Sequence, residues 1–314
     1  MIKLPIHILT IDTIKLFYRF YNIDKYFSSF NFLESKLEKA KSIHRKDDTL
    51  PTLSGYYMGM QILVSPKGLT VRGSLCKSAI GNNYYSLTRE EMKDAFVRLS
   101  DALQISLIDA QVLRIDIGVC ILMQYPTESY FQSLGSCKDY ECWERTHSHY
   151  YENTNRTMIF YNKRREVESK RDFHLLEEMG QNILRIELRF TKDLPRQFNK
   201  QKITGEDLFN PTFFNGLINR FKSEYDKIHK NKTLQPVKDN LSSGDGIDFT
   251  LSNLIELQGQ NSINKIIAVL RPKFKRGAFL RYSNKLKRLK NLSFESPLIT
   301  ELNSKISEII ELTY

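Results

Sequence analysis

Two stretches constrain this chain's fold more than any other feature: VLRIDIGVCIL at 112–122 and ILRIELRF at 183–190. Strand side chains alternate between faces. Ile115, Ile117 and Val119 therefore share one face of the first stretch, and Arg114, Asp116 and Gly118 the other. In the second, Ile186, Leu188 and Phe190 oppose Arg185, Glu187 and Arg189. A third stretch, TMIFYNK at 157–163, sets Met158 and Phe160 against Thr157, Ile159, Tyr161 and Lys163. A strand buried on both faces is not written this way. Three such strands need a cover for the apolar face and leave a second face lined with Arg, Asp, Glu, Tyr and Lys.

The neighbouring segments fit a mixed fold. Residues 8–18 and 56–64 read as strands, SPKG at 65–68 as a tight turn, and 69–72 as the return strand of a hairpin. Thr88 and Glu91 have capping-box spacing before a helical stripe of Met92, Phe96, Leu99 and Leu103. Thr127 opens a short helix, and a strand is expected near 145–151. Beyond Pro195 the pattern turns helical, with KTLQPVKDNLSSGDG (232–246) as a polar linker. The predicted fold is α+β: an antiparallel sheet with helices on one face, then a helical C-terminal region. The predicted division is a catalytic domain over 1–200 and a helical DNA-binding or accessory region over 201–314.

Of 314 residues, 41% are hydrophobic, enough for a substantial core, and 47 Lys+Arg against 36 Asp+Glu give +11. That sign favours a polyanionic partner, nucleic acid being the commonest, although a basic surface also serves solubility. No window of about 18 apolar residues exists, so no membrane span is expected. The apolar N-terminus alternates and lacks a small-residue cleavage site, and so reads as strand rather than signal peptide. Cys76, Cys120, Cys137 and Cys142 have no framework spacing, which fits reduced thiols and a cytoplasmic setting.

If the three charged strands are neighbours, Asp116 and Glu187 sit side by side among arginines. Two such carboxylates are hard oxygen ligands suited to Mg²⁺ or Mn²⁺, and a tyrosine beside them is a candidate nucleophile towards a phosphodiester. The competing reading is a set of Arg–Asp and Arg–Glu pairs with no chemistry. HSH at 147–149 offers a histidine pair, and Cys137, Cys142, His147 and His149 offer C-x4-C-x4-H-x-H, a spacing foreign to structural zinc sites. No phosphate-binding G-x-x-x-x-G-K-[ST] occurs. RPKFKRGAFLRYSNKLKRLK (271–290) carries nine Lys/Arg and no acid, with Phe274, Phe279 and Tyr282 interleaved. It suits phosphate contact through Lys273, Lys275, Arg276, Arg281 and Lys285.

In order and spacing, the chain resembles the gene II replication initiators of filamentous phages and related phage and plasmid replication proteins. The resemblance rests on RID (114–116), WE (143–144), RT (156–157), FYNK with Glu166 (160–166) and LRIELR (184–189), together with IDTIKL (11–16) and GSLCKSAIGNNYY (73–85). It covers roughly residues 10–195. It implies a rolling-circle initiator that nicks one strand of an origin, keeps the 5′ end as a phosphotyrosine, leaves a 3′-OH primer and later reseals the displaced strand. The family's nucleophile falls on Tyr161 and its paired acidic strands on Asp116 and Glu187. Glu166 matches a further acidic position, a third candidate ligand, and Lys163 a phosphate contact or proton relay. Asn162 stands where many relatives have Asp, which puts a ligand role there in doubt. Arg114, Arg185 and Arg189, with Arg156, Arg164, Arg165 and Lys77, are the expected DNA contacts. Implied partners are duplex and single-stranded origin DNA, a host helicase and polymerase, and further copies of the chain. A binding-only initiator or copy-number regulator, and a plasmid-transfer relaxase, stay open beside this reading.

Overall fold

The alternation of the charged strands is realised as an antiparallel ladder. The computed structural model describes residues 7–44, 50–231, 248, 250–251, 265, 267–290 and 296–314. Its strands are β1 (Thr10–Arg19), β2 (Glu38–Ile43), β3 (Thr52–Tyr57), β4 (Met60–Ser65), β5 (Gly68–Ser74), β6 (Gln111–Leu122), β7 (Leu134–Cys137), β8 (Glu141–Arg145), β9 (Ser148–Glu152), β10 (Arg156–Asn162), β11 (Ile183–Phe190) and β12 (Ile228–Lys230). All but β7 and β12 join one sheet, ordered β2-β3-β4-β5-β1-β6-β11-β10-β9-β8. The three strands singled out by their pattern are thus adjacent, with β11 between β6 and β10.

Register explains the burial. Ile186 lies between Val119 and Phe160, Leu188 between Ile117 and Met158, and Phe190 opposite Ile115. All eight side chains are buried, each contributing about 1.5–3 kcal/mol by leaving water. Helix α8 (Pro211–Asp226) covers this face: Tyr225 approaches Phe160 at 6.4 Å between centroids, and Phe198 bridges Phe190 to Phe213 at 5.1 and 5.0 Å. The expected capping box forms on α3 (Arg89–Leu103), whose stripe of Met92, Phe96, Leu99 and Leu103 is buried. Met92 Sδ accepts from Thr10 Oγ1 at 3.2 Å, which seats α3 on β1.

Three boundaries differ from expectation. The strand expected over 56–64 is broken at Met58 and Gly59, both at positive φ (48° and 72°), so β3 and β4 make a two-residue hairpin. Helix α1 (Ile23–Glu34) and strand β2 were not anticipated. The strand holding Tyr161 ends at Asn162, whose side chain accepts from Arg165 N at 3.1 Å and caps helix α5 (Lys163–Ser169). Lys163 therefore opens a helix and does not share the strand face of Tyr161.

The chain divides into two compact units. One holds Met1–Glu128, Ser136–Ile228 and Lys305–Tyr314, and so the whole large sheet; the other holds Ser129–Gly135 and His229–Ser304. Within the first, Leu9 N donates to Thr313 Oγ1 at 3.1 Å, tying the chain's end to the start of β1. The C-terminal region is helical over Arg276–Lys290 and Pro297–Thr313. The polar stretch 232–246 lies outside the described residues. No described helix is long and apolar enough to cross a membrane.

Candidate active site

The polar face of β6, β11 and β10 carries a continuous hydrogen-bonded network. The Tyr161 hydroxyl donates to Glu187 Oε1 at 2.8 Å. The same carboxylate takes Arg185 Nε at 3.3 Å on that oxygen and Arg189 Nη2 at 2.8 Å on Oε2. One residue pair along, Arg114 grips Asp116 with both ends of its fork, Nε at 2.8 Å and Nη2 at 2.6 Å, with Arg189 Nε 3.7 Å away. Bidentate pairing of this kind fixes orientation as well as charge. Gly118 sits opposite Glu187, and a Cβ there would lie 2.9 Å from Glu187 Cγ and 3.2 Å from Arg185 Nη2. Its missing side chain is the space in which the Arg185–Glu187 pair lies.

The network runs on behind the tyrosine. Arg185 Nη2 reaches Asp12 Oδ2 at 2.8 Å, and its Nη1 reaches the Asn83 carbonyl at 2.9 Å. Asn83 Nδ2 also donates to Asp12 Oδ2 at 2.8 Å, and Ser74 Oγ donates to Asp12 Oδ1. Lys163 Nζ donates to Asn83 Oδ1 at 2.7 Å and to Glu166 Oε2 at 2.6 Å. A small apolar cluster of Cys120, Val167, Leu175, Met179, Ile183 and Tyr84 closes this end of the site. Arg185 and Lys163 are each 1% exposed at the side chain, so every contact they make is inside the protein.

These surroundings set the protonation states. Burial and then the neighbouring Glu187 charge push the Tyr161 phenol well above its ordinary value of 10. Burial also opposes ionisation of Glu187, but Arg185 first and then Arg189 override it and hold the carboxyl down at about 2. Asp116 goes the other way, to about 6, because burial outweighs the hydrogen bonds and charge of Arg114. Burial lowers the Lys163 amine to about 8. Around neutrality the site thus presents a neutral phenol hydrogen-bonded to a fully ionised carboxylate.

Asp116 and Glu187 are neighbours, as expected, but all four of their oxygens already receive guanidinium or phenol donors. Glu166 lies apart from them, paired with Lys163 and Lys170. Among the described residues no three His, Cys, Asp or Glu side chains converge as a metal-binding group. As arranged, this donor set does not fit a divalent ion; one would have to displace Arg114 and Arg189. His147 lies in a turn and pairs with Glu128, whereas His149 is buried on the opposite side of β9 beside Glu144. No disulfide links Cys76, Cys120, Cys137 or Cys142.

Among the expected DNA contacts, Arg114 and Arg189 keep 21% and 33% of their side chains exposed. Arg185 keeps none to spare. Lys77 and Arg165 are exposed, Arg164 is tied to the carbonyls of Leu176 and Met179, and Arg156 pairs with Glu224. In the second unit Lys273, Lys275, Arg281 and Lys285 are exposed, and the Arg276 side chain lies outside the described residues. Asp12, Asn83 and Ser74 lie in the IDTIKL and GSLCKSAIGNNYY stretches of the resemblance but had not been singled out as site residues. Nor had Lys15 and Arg72, which stand level with Arg114 across β5, β1 and β6. With Lys192 these cations line a cleft of about 510 Å³ beside the site. The polar side of TIDTIKL would have pointed to Lys15, and the G-x-N of GSLCKSAIGNNYY, one of the stretches that carry the resemblance, to Asn83.

Comparison with known proteins adds the family. The model of the Phage CRI family, which describes the N-terminal region of a replication-associated protein, matches residues 40–226, more than half of the chain. A solved rolling circle replication initiator protein from Geobacillus stearothermophilus is similar at 10% identity and a TM-score of 0.39, over 74% of this chain and 89% of that one. No curated protein matches the chain.

Proposed function

The chain belongs to the Phage CRI family of replication-associated proteins, and on that premise we propose that it nicks and rejoins one strand of a phage or plasmid rolling-circle origin through Tyr161. The observation that carries this reading is the Tyr161 hydroxyl, half-buried and held 2.8 Å from the ionised Glu187 among Arg185 and Arg189. Tyr161 Oη attacks the scissile phosphorus, the P–O3′ bond breaks, and the 5′ end stays on the protein as a phosphotyrosine. The proton lost by the phenol ends on the departing O3′, which becomes the primer terminus. Attack by a 3′-OH on the phosphotyrosine reverses the step and joins the strand. A host helicase would unwind the nicked duplex and a polymerase would extend the 3′-OH primer that the nick leaves.

Glu187, held at about 2, is too weak a base to take the phenol's proton; its role is to aim the hydroxyl. Arg189 and Arg114 keep surface towards solvent and offset charge that develops on the phosphate. Arg185 is a positioning residue that fixes Glu187 and Asp12. Lys15, Arg72 and Lys192 supply phosphate contacts along the flanking cleft, and the basic helix of the C-terminal region adds duplex contacts. No step here is routed through a metal. Asp116 and Glu187, paired as they are, do not fit Mg²⁺ or Mn²⁺, so dependence on either ion is a separate proposal, tested by whether nicking is lost in EDTA and returns with the ion.

The test is incubation with a labelled single-stranded origin oligonucleotide. A denaturation-resistant adduct is expected with the wild-type chain and none with Tyr161→Phe, while both bind the oligonucleotide alike. Binding without any adduct, under every metal condition, would favour the binding-only regulator.

A further inference from the structure

We infer that Trp143, Tyr150 and Arg145 form a base-stacking subsite for single-stranded DNA on the same sheet face as Tyr161. Trp143 of β8 stands directly across from Tyr150 of β9, with rings parallel to within 4° and centroids 3.7 Å apart. The Arg145 guanidinium lies 5.1 Å from the Trp143 ring and 5.8 Å from that of Tyr150. Register sets their face: Tyr161 pairs with Ser148 and Ser148 with Arg145, while Ile159 pairs with Tyr150 and Tyr150 with Trp143. The aromatic pair is therefore one to two strands from the strand of Tyr161, about 5–10 Å.

Burial separates this patch from the core. His149 and Tyr151, on the other face of β9, are 4% and 0% exposed and supply the hairpin's packing. Trp143 and Tyr150 are only half-buried, and Arg145 is exposed. Stacked on each other, the two rings have only outer faces to offer a further ring, and such a face bordered by a guanidinium matches a base followed by its phosphate. It matches an unpaired base in particular, because a base within a duplex already has both faces stacked. The occupant follows from continuity with the site: strand transfer at Tyr161 needs an unpaired segment, and the patch lies where that segment would run on from the scissile phosphate. The rival account is a cross-strand aromatic staple that merely holds the edge hairpin together.

Trp143 is the chain's one tryptophan, so fluorescence excited selectively at the indole reports on this patch alone. Titrating the full-length protein with a short oligothymidine is expected to quench it. An abasic oligonucleotide of equal length, or a duplex, should leave it nearly unchanged while fluorescence anisotropy of the labelled DNA still reports binding. Trp143→Ala should weaken oligothymidine binding by roughly 5- to 150-fold and duplex binding by much less; Trp143→Phe, which keeps a ring, should retain most of it. A thermal melt of each variant identifies any loss of the fold. Saturating oligothymidine without quenching overturns the inference, as does equal loss of single-strand and duplex affinity in a folded Trp143→Ala.

The inference rests on the nicking reading, yet the two fail separately. Quenching without a Tyr161 adduct would sink the chemistry and leave the subsite. An adduct without quenching would do the reverse.

Discussion

Glu187 is the residue on which the site turns, because its carboxylate touches Tyr161, Arg185 and Arg189 together. Its carboxyl is held at about 2 against an ordinary 4.5. A depressed value means that its contribution to stability is present above about pH 4.5 and is lost as pH falls towards 2, to a limit of roughly 3 kcal/mol. Glu187→Gln removes that titration. The melting-temperature gap between wild type and variant should therefore be widest above pH 4.5 and narrow steadily below it; a gap independent of pH would show that the carboxylate is not held by its cations. Asp116 contributes in the opposite sense. Its raised value of about 6 makes stability decline as pH rises from about 4 to 6. Tyr161, Asp116 and Glu187 were legible in the sequence because alternation alone assigns their face. Asp12 was not, since its partner Arg185 is 173 residues away and no local pattern shows that pairing. Lys163 was misplaced for a different reason: Asn162 can end a strand or cap a helix, and here it does both.

Among the elements, β6 and β11 define the site through one tight contact. Gly118 faces Glu187, and a Cβ there would lie 2.7 Å from the Ile186 carbonyl as well as against Glu187. Gly118→Ala must push β11 or the Arg185–Glu187 pair aside. A stability loss of about 1–3 kcal/mol is expected, with adduct formation falling more than oligonucleotide binding. Wild-type stability and adduct yield together would refute this account of the glycine. The strands flanking this contact were readable because each has one apolar and one charged face. The β3–β4 hairpin was not, because Met58 is no turn residue by type and only the following Gly59 hints at the break. Helix α1 escaped notice because IDKYFSSFNFLE is rich in aromatic and β-tolerant residues, which mask the i, i+4, i+7 stripe of Tyr26, Phe30 and Leu33.

At the scale of the molecule, the sheet distributes tasks along one face. Stacking chemistry lies at the β8 end, the tyrosine and its arginines in the middle, and Arg114, Lys15 and Arg72 beyond them. The net charge of +11 and this row of cations imply binding governed by counterion release. With about six phosphate contacts, affinity for single-stranded or duplex DNA should fall on the order of a thousandfold between 50 and 200 mM salt. A flat salt dependence in a filter-binding or anisotropy assay would contradict a phosphate-tracking face. The central claim, however, is the identity of the nucleophile. The most direct measurement is mass spectrometry of the proteolysed covalent complex formed on a single-stranded origin oligonucleotide. A nucleotide remnant on the peptide containing Tyr161, absent from Tyr161→Phe, is the predicted result. A remnant on Tyr150, Tyr151 or any other residue, or an adduct that survives Tyr161→Phe, would contradict it.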